Sequence, residues 1–259
     1  MEEITKTLEV SMKSIQELCQ KRSLQKNTNG QEWSCNKCKD SGYMFLDNRT
    51  VRECECQIEV KNKLRLKNSG LQEVINKYTF GNYETKEKYQ NGIKLKAQEY
   101  VKEIETGEKT WFFIGGQSGV GKTHLCTAIC SELMKMKKSL KYVIANKIIM
   151  ELKSAVMNQV DYFRIMGQLI SVDVLYVDDL FKSKSVTDAD VKVLFEIIND
   201  RYTQNKITIV SSEKTIFDLE KIDELEAITG RIIEKAKSYV INITKDTSKN
   251  YRKQNYLNF

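Results

Sequence analysis

Trp111-Phe112-Phe113-Ile114-Gly115-Gly116-Gln117-Ser118-Gly119-Val120-Gly121-Lys122-Thr123 is the stretch on which the reading of this chain turns. Residues 116–123 fit the spacing G-x-x-x-x-G-K-[ST]. An apolar, strand-like run precedes them and a helical pattern over 123–136 follows. Glycines at these positions let backbone N–H groups turn inward onto phosphate oxygens, and the start of the helix adds a positive end. On this reading Gly116, Gln117, Ser118, Gly119, Val120 and Gly121 make a phosphate cradle. Lys122 reaches the β- and γ-phosphates of a nucleoside triphosphate, and the Thr123 hydroxyl ligates Mg²⁺. The eight-residue pattern arises by chance elsewhere; strand before and helix after are what give it weight here.

Working outward, apolar runs alternate with helical periodicity. Strands are predicted at 111–115, 141–145, 172–177, 207–211 and 239–243. Helices are predicted at 122–137, 147–170 with a break near 158–161, 188–203 and 224–237. Strands alternating with helices imply βαβ units and a parallel sheet covered on both faces. The run Val174-Leu175-Tyr176-Val177-Asp178-Asp179 ends an apolar strand in two carboxylates. Beside a phosphate loop, Asp178 suits the Mg²⁺ shell and Asp179 suits polarising the attacking water. The plainer reading is a buried strand capped by an acidic turn. Guanine selectivity is unsupported, because Asn146-Lys147-Ile148-Ile149 has Ile where a guanine clamp needs Asp. Arg231 and Lys235 stand four apart on one helical face. That pair suits a cation delivered to a neighbouring subunit's γ-phosphate, or simply a solvated basic face.

Before this region lie a predicted helix over 2–26 and a short cysteine-bearing module with small strands at 43–46 and 50–53. Two further helices are predicted at 57–68 and about 85–105. Cys35, Cys38, Cys54 and Cys56 read C-x₂-C, fifteen residues, C-x-C. Four thiolates gathered by a hairpin too small for its own core make a closed tetrahedral Zn²⁺ site, with iron–sulfur as the alternative. Lys37, Lys39, Arg49 and Arg52 in the same module could touch nucleic acid. Cys126 and Cys130, four apart on one helix, and Cys19 read as small buried residues. His124, the single histidine, faces either nucleotide or core; Phe80 and Tyr83 pack either near an adenine or in the core.

The 259 residues carry 42 Lys+Arg against 35 Asp+Glu, a net +7, with 41% hydrophobic residues. That is apolar enough for a sizeable core, which excludes wholesale disorder. No apolar run approaches the roughly 20 residues that cross a bilayer, and the acidic, amphipathic N-terminus lacks a secretory h-region. No membrane association and a cytoplasmic location are expected. Seven cysteines, an odd count, point to thiols or metal rather than bridges. There is no Pro, where average usage gives about thirteen. Basic residues interleave with tyrosines over 231–259, which suits single-stranded DNA or a merely Lys-rich surface.

Residues 111–123, 174–179, 207–213, 230–237 and 249–252 together resemble the AAA+ helicase loaders of the DnaC/DnaI type and their IstB-like transposition relatives. The resemblance covers roughly 75–259. It implies an α/β fold: an AAA+ P-loop ATPase with a five-stranded parallel sheet, preceded by an N-terminal helix and a small Cys₄ zinc module. The change of pattern along the chain puts the boundary near 70–85, dividing 1–70, for which the resemblance implies helicase docking, from 71–259, the ATPase. Lys122 and Thr123 match Walker A, Asp178 and Asp179 Walker B, Ser211 and Ser212 sensor 1, Arg231 the arginine finger, and Arg252 a sensor 2 position. Many relatives have Glu at Asp179; Asp is one methylene shorter, which implies slow hydrolysis. Sensor 1 usually offers Asn or Thr, whereas Ser-Ser-Glu stands here, and Glu213 would repel phosphate if it pointed inward. The implied function is an ATP-, Mg²⁺- and Zn²⁺-dependent loader of a replicative DNA helicase onto single-stranded DNA, self-associating through the ATP site. The alternatives are an IstB-like transposition ATPase and a zinc-containing helicase adaptor or inhibitor with little hydrolysis.

Overall fold

A computed structural model describes residues 33–45, 50–69, 71–183, 185–222, 226–246 and 249–250. The predicted helix 2–26 with Cys19, the turn at 47–48, Arg49 and the tail with Tyr251, Arg252 and Tyr256 lie outside them. Backbone contacts divide the chain into two units, one ending at Lys61 and the other beginning at Asn62. The division falls inside a helix, ahead of the expected 70/71 boundary.

The smaller unit holds β1 (Tyr43–Phe45) and β2 (Val51–Glu53), paired antiparallel with Met44 opposite Arg52. The Cys54 N–H closes the hairpin on the Gly42 carbonyl at 2.8 Å. Helix α1 (Cys56–Ser69) begins here and continues into the larger unit. There the buried Asn62 side chain donates to the Lys138 carbonyl at 2.7 Å and accepts from the Leu140 N–H at 2.9 Å. It satisfies two backbone groups at the entry of β4.

The larger unit continues with α2 (Gln72–Ile75), α3 (Lys88–Glu105), β3 (Phe112–Gly116), α4 (Lys122–Lys135), β4 (Leu140–Ile144), α5 (Ala145–Ala155) and α6 (Gln159–Ile170). Then come β5 (Val174–Asp178), α7 (Asp188–Thr203), β6 (Ile207–Ser212), α8 (Ile216–Glu220), α9 (Thr229–Ala236) and β7 (Val240–Ile243). The five strands β3 to β7 form one parallel sheet in the order β4-β5-β6-β3-β7. The predicted helix 147–170 breaks where expected: Asn158 caps α6, its side chain accepting from the Asp161 N–H. The predicted helix 224–237 is shorter, and the five-residue α8 that precedes it went unread. Its one turn is too brief for a periodic signal; its cap, Thr215 reciprocated by Asp218, is the trace it leaves.

Parallel strands buried on both faces read as near-continuous apolar runs, and the side-chain period of two sorts them. Phe112, Ile114, Val174, Tyr176, Ile207 and Ile209 pack with α3 and α4. Trp111, Phe113, Leu175, Val177 and Val210 pack with α5, α6, α7, α8 and α9. Two helical layers therefore sandwich the sheet. Every strand points its C-terminal end to one side, so β3, β5 and β6 deliver their following residues to a single edge, where α/β sheets hold ligands.

Candidate nucleotide site and cysteine cluster

The cradle begins where β3 ends. Gly116 has φ 140°, and a Cβ there would run into the Ile243 backbone carbonyl. Gly121 has φ 88°, and a Cβ would come within 3.1 Å of the Tyr83 ring. No other residue takes these conformations in this space. The loop turns straight into α4, whose first residue, Lys122, is only 6% exposed. Its Nζ donates to the carbonyls of Gly116 at 2.7 Å and Gln117 at 2.8 Å. Burial lowers the Lys122 pKa, against the pull of Glu213 and Asp179. The Gln117 side chain exchanges hydrogen bonds with the backbone of Asp246, and Val120 is buried.

A cavity of about 300 Å³ opens over the loop, lined by Ser118, Gly119, Gly121, Lys122 and Thr123. Asp179, Lys182 and Glu213 face it, and Tyr78 and His124 complete its wall. His124 is half-buried. Its Nε2 lies 3.0 Å from the Thr79 carbonyl and its ring stacks on Tyr78 at 4.6 Å, while it still lines the cavity. Burial lowers its pKa. Phe80 and Tyr83 pack in the core. Tyr78 carried no motif and was not singled out.

Asp178 is 5% exposed at the end of β5. The Tyr142 hydroxyl, from β4, donates to its Oδ2 at 3.0 Å, and the Ser211 hydroxyl, from β6, donates to Oδ1. Two donors from the flanking strands thus orient the carboxylate. Only strand order brings Tyr142 there; its local sequence says nothing of Asp178. Asp179 follows at φ 59°, left-handed for a residue with a Cβ, a conformation costing on the order of 1 kcal/mol. Its N–H donates to Asp178 Oδ1 at 3.1 Å, and the bend presents its side chain to the cavity.

The sensor serines do not face the nucleotide space. Ser211 is committed to Asp178. Ser212, expected as a nucleotide contact, is fully buried, donates to the Leu180 carbonyl at 2.8 Å and accepts from the Lys214 N–H at 3.1 Å. The correction has a simple cause: residue 212 points back into the layer, so the next residue, Glu213, turns to the cavity. Burial pushes the Glu213 carboxyl up, but the hydrogen bond and charge of Lys182 outweigh it, and it lies below its ordinary value. Arg231 does not reach the cavity of its own chain. Its guanidinium donates to Asn199 Oδ1 at 3.0 Å and the Ala227 carbonyl at 2.6 Å, lies over the Phe195 and Tyr202 rings, and leaves Nε buried with no hydrogen-bond partner among the described residues. Lys235 sits beside it, donating to Asn205 at 3.0 Å.

In the smaller unit the four Sγ atoms of Cys35, Cys38, Cys54 and Cys56 all lie within 4.8 Å of one another. Cys35 and Cys54 are 3.8 Å apart, Cys38 and Cys56 3.5 Å. Four thiolates at about 2.3 Å from one tetrahedral ion stand about 3.8 Å apart, so the set fits zinc. The loop is tied by Asp40, which accepts from the N–H of Cys35 at 2.8 Å. Hydrogen bonding from the Cys38 backbone lowers the Cys35 pKa to about 7, whereas burial raises those of Cys38 and Cys56. Cys126 and Cys130 are fully buried in the core, as read.

The phosphate loop follows β3, and the acid pair follows β5 two strands away, with β6 between. That arrangement is the fold of a P-loop nucleotide-binding domain. Residues 9–258 match the IstB-like ATP binding protein family, and the chain belongs to it. The uncharacterised protein YqaM of Bacillus subtilis (strain 168) is 32% identical over 214 residues, 75% of this chain and 64% of that one. The replicative helicase loader DnaC of Escherichia coli (strain K12) is 29% identical over 140 residues, 53% of this chain and 56% of that one. The chain therefore spans less than two thirds of either relative's length. The crystal structure of DnaI shares the fold, with a TM-score of 0.55 and 24% identity over 66% of this chain and 93% of that one. Among the described residues no helix is long and apolar enough to cross a membrane.

Proposed function

We propose that this protein is an ATP-hydrolysing loader that binds a replicative DNA helicase and single-stranded DNA and deposits the one on the other in the cytoplasm. The observation that carries the reading is the likeness of its ATPase core to the helicase loader DnaC. The geometry supports the chemistry: glycines that tolerate no side chain, a buried lysine on the loop, and a carboxylate pair at the same sheet edge.

Lys122 then serves the β- and γ-phosphates, Thr123 and Asp178 hold Mg²⁺, and Asp179 polarises the attacking water. Arg231 supplies a cation to a neighbouring copy's nucleotide, which couples ATP to self-association. Its present seat against Asn199, Phe195 and Tyr202 means that it must leave those partners to do so, so assembly and release of α9 from α7 go together. Arg252 serves as sensor 2. The smaller unit binds Zn²⁺ through Cys35, Cys38, Cys54 and Cys56 and, with the residues before it, docks the helicase; the lysines and tyrosines of the tail engage DNA.

A pull-down against the replicative helicase, with and without ATP, with zinc measured in the same sample, tests this. Retention of the helicase that rises with ATP, together with about one zinc per chain, is expected. Loss of the helicase in both conditions overturns the loader reading and leaves the ATPase standing.

A further inference from the structure

Two carboxylates line the cavity that a polyphosphate would enter. Asp179 and Glu213 both face it, and Lys122, the cation expected there, is engaged with the carbonyls of its own loop. The remaining cation is Lys182. Its Nζ lies 2.9 Å from Asp179 Oδ2 and 3.2 Å from Glu213 Oε1, bridging the two carboxylates at the cavity wall. Neither the phosphate-loop motif nor the proposed function uses this residue.

The turn that carries it is pinned. The Leu180 N–H donates to the Ser211 carbonyl at 2.9 Å, the Lys214 ammonium donates to the Phe181 carbonyl, and Phe181 is buried at φ 50°. The backbone under Lys182 is therefore fixed to β6 and to the residue after Glu213. A flexible surface lysine meeting a carboxylate by accident shows no such support. Like-charged carboxylates in a half-buried site repel each other and any incoming phosphate, and a shared cation removes both repulsions.

We propose that Lys182 is a positioning residue for the nucleotide reaction: the counter-ion that neutralises Asp179 and Glu213, so that a nucleoside triphosphate enters and Asp179 is held in its orientation. This rests on the cavity being the triphosphate site, and it adds the device by which a cavity bearing two carboxylates accepts an anion. Removing the shared cation leaves two uncompensated carboxylates; removing Glu213 along with it leaves one.

The test measures dissociation constants for Mg²⁺ complexes of a fluorescent ATP analogue on the full chain. The proteins are wild type, Lys182→Gln, Lys182→Arg, Glu213→Gln and the Lys182→Gln/Glu213→Gln pair, each checked for fold by circular dichroism. Lys182→Gln is expected to weaken binding about tenfold, a change the size of one exposed-to-half-buried charge interaction. Lys182→Arg retains most of the affinity, Glu213→Gln binds more tightly than wild type, and the double variant recovers most of the loss. Unaltered binding in Lys182→Gln overturns the inference. So does a double variant no better than Lys182→Gln, since Lys182 would then act on phosphate itself. In either case wild-type binding leaves the nucleotide reading intact, whereas a wild-type protein that takes up no nucleotide sinks both.

Discussion

At residue 179 the backbone is bent into a left-handed conformation by a carboxylate-bearing residue, where Gly or Asn is the cheaper choice. The bend follows from its neighbour. Asp178 is clamped by Tyr142 and Ser211, and its Oδ1 takes the Asp179 N–H, so the chain must turn at once. The strain places the Asp179 side chain in the cavity while Asp178 stays in the strand layer. This division of labour predicts the outcome of Asp179→Asn. Steady-state ATP turnover should fall by about 10²-fold, the ordinary worth of a positioned general base. Nucleotide binding should be no weaker than wild type, because a negative charge has left the site. Weakened binding with unchanged turnover per bound ATP would show that residue 179 holds nucleotide rather than water. Asp178 and Asp179 were legible as a pair from their place after an apolar strand. Tyr142 and Lys182 were not, because each is brought in by a different strand or turn and neither has a motif of its own; Glu213 stood out in the sequence, but its direction was not legible.

At the scale of elements, α3 is tied to the end of the sheet by the Tyr100 hydroxyl, which donates to the Thr110 carbonyl at 3.0 Å, and by the Glu103 carboxylate. Glu103 accepts from the Thr110 hydroxyl at 2.5 Å and from the Tyr239 hydroxyl, in the turn before β7, at 2.6 Å. The Thr110 and Tyr239 hydrogen bonds hold the Glu103 carboxyl below its ordinary value. A depressed folded value means that ionised Glu103 stabilises the fold fully above the unfolded pKa of about 4.3, and that this stabilisation is lost as pH falls through the folded value. Glu103→Gln should therefore cost about 1 kcal/mol at pH 7, allowing for solvent around the group. In urea melts the gap between wild type and variant should close below about pH 4. A gap that is constant with pH would assign the cost to packing instead. The five strands were readable as elements because a sheet covered on both faces needs unbroken apolar runs. Which strands are neighbours was not readable: β3 pairs with β6 and β7, distant in sequence, and it is the pairing of β5 with β6 that puts Ser211 beside Asp178.

Over the whole molecule, the two units rest on different physics. The larger has two apolar layers on a five-stranded sheet, and burial of these layers supplies its stability. The smaller has a hairpin of two three-residue strands and four converging thiols, so on the zinc reading metal binding would supply much of its folding free energy. A strong zinc chelator should abolish amide-exchange protection across residues 42–54 and release about one zinc per chain. Protection of β3, β5 and β6, and nucleotide uptake, should persist. Protection at 42–54 that survives full metal removal would show that the hairpin folds on its own. What the sequence by itself determined is local: the glycine spacing that dictates a phosphate loop, the apolar periods that dictate strands and helices, and the cysteine spacing that dictates a four-thiolate cluster. These are short-range patterns whose physics acts over a few residues. Only the tertiary structure decided which hydroxyls orient Asp178, that Ser212 turns inward so that Glu213 turns out, that Arg231 is seated on α7, and that Lys182 bridges two acids. Each of those depends on residues far apart in the chain meeting at one sheet edge, and strand order, which no local pattern encodes, sets which of them meet.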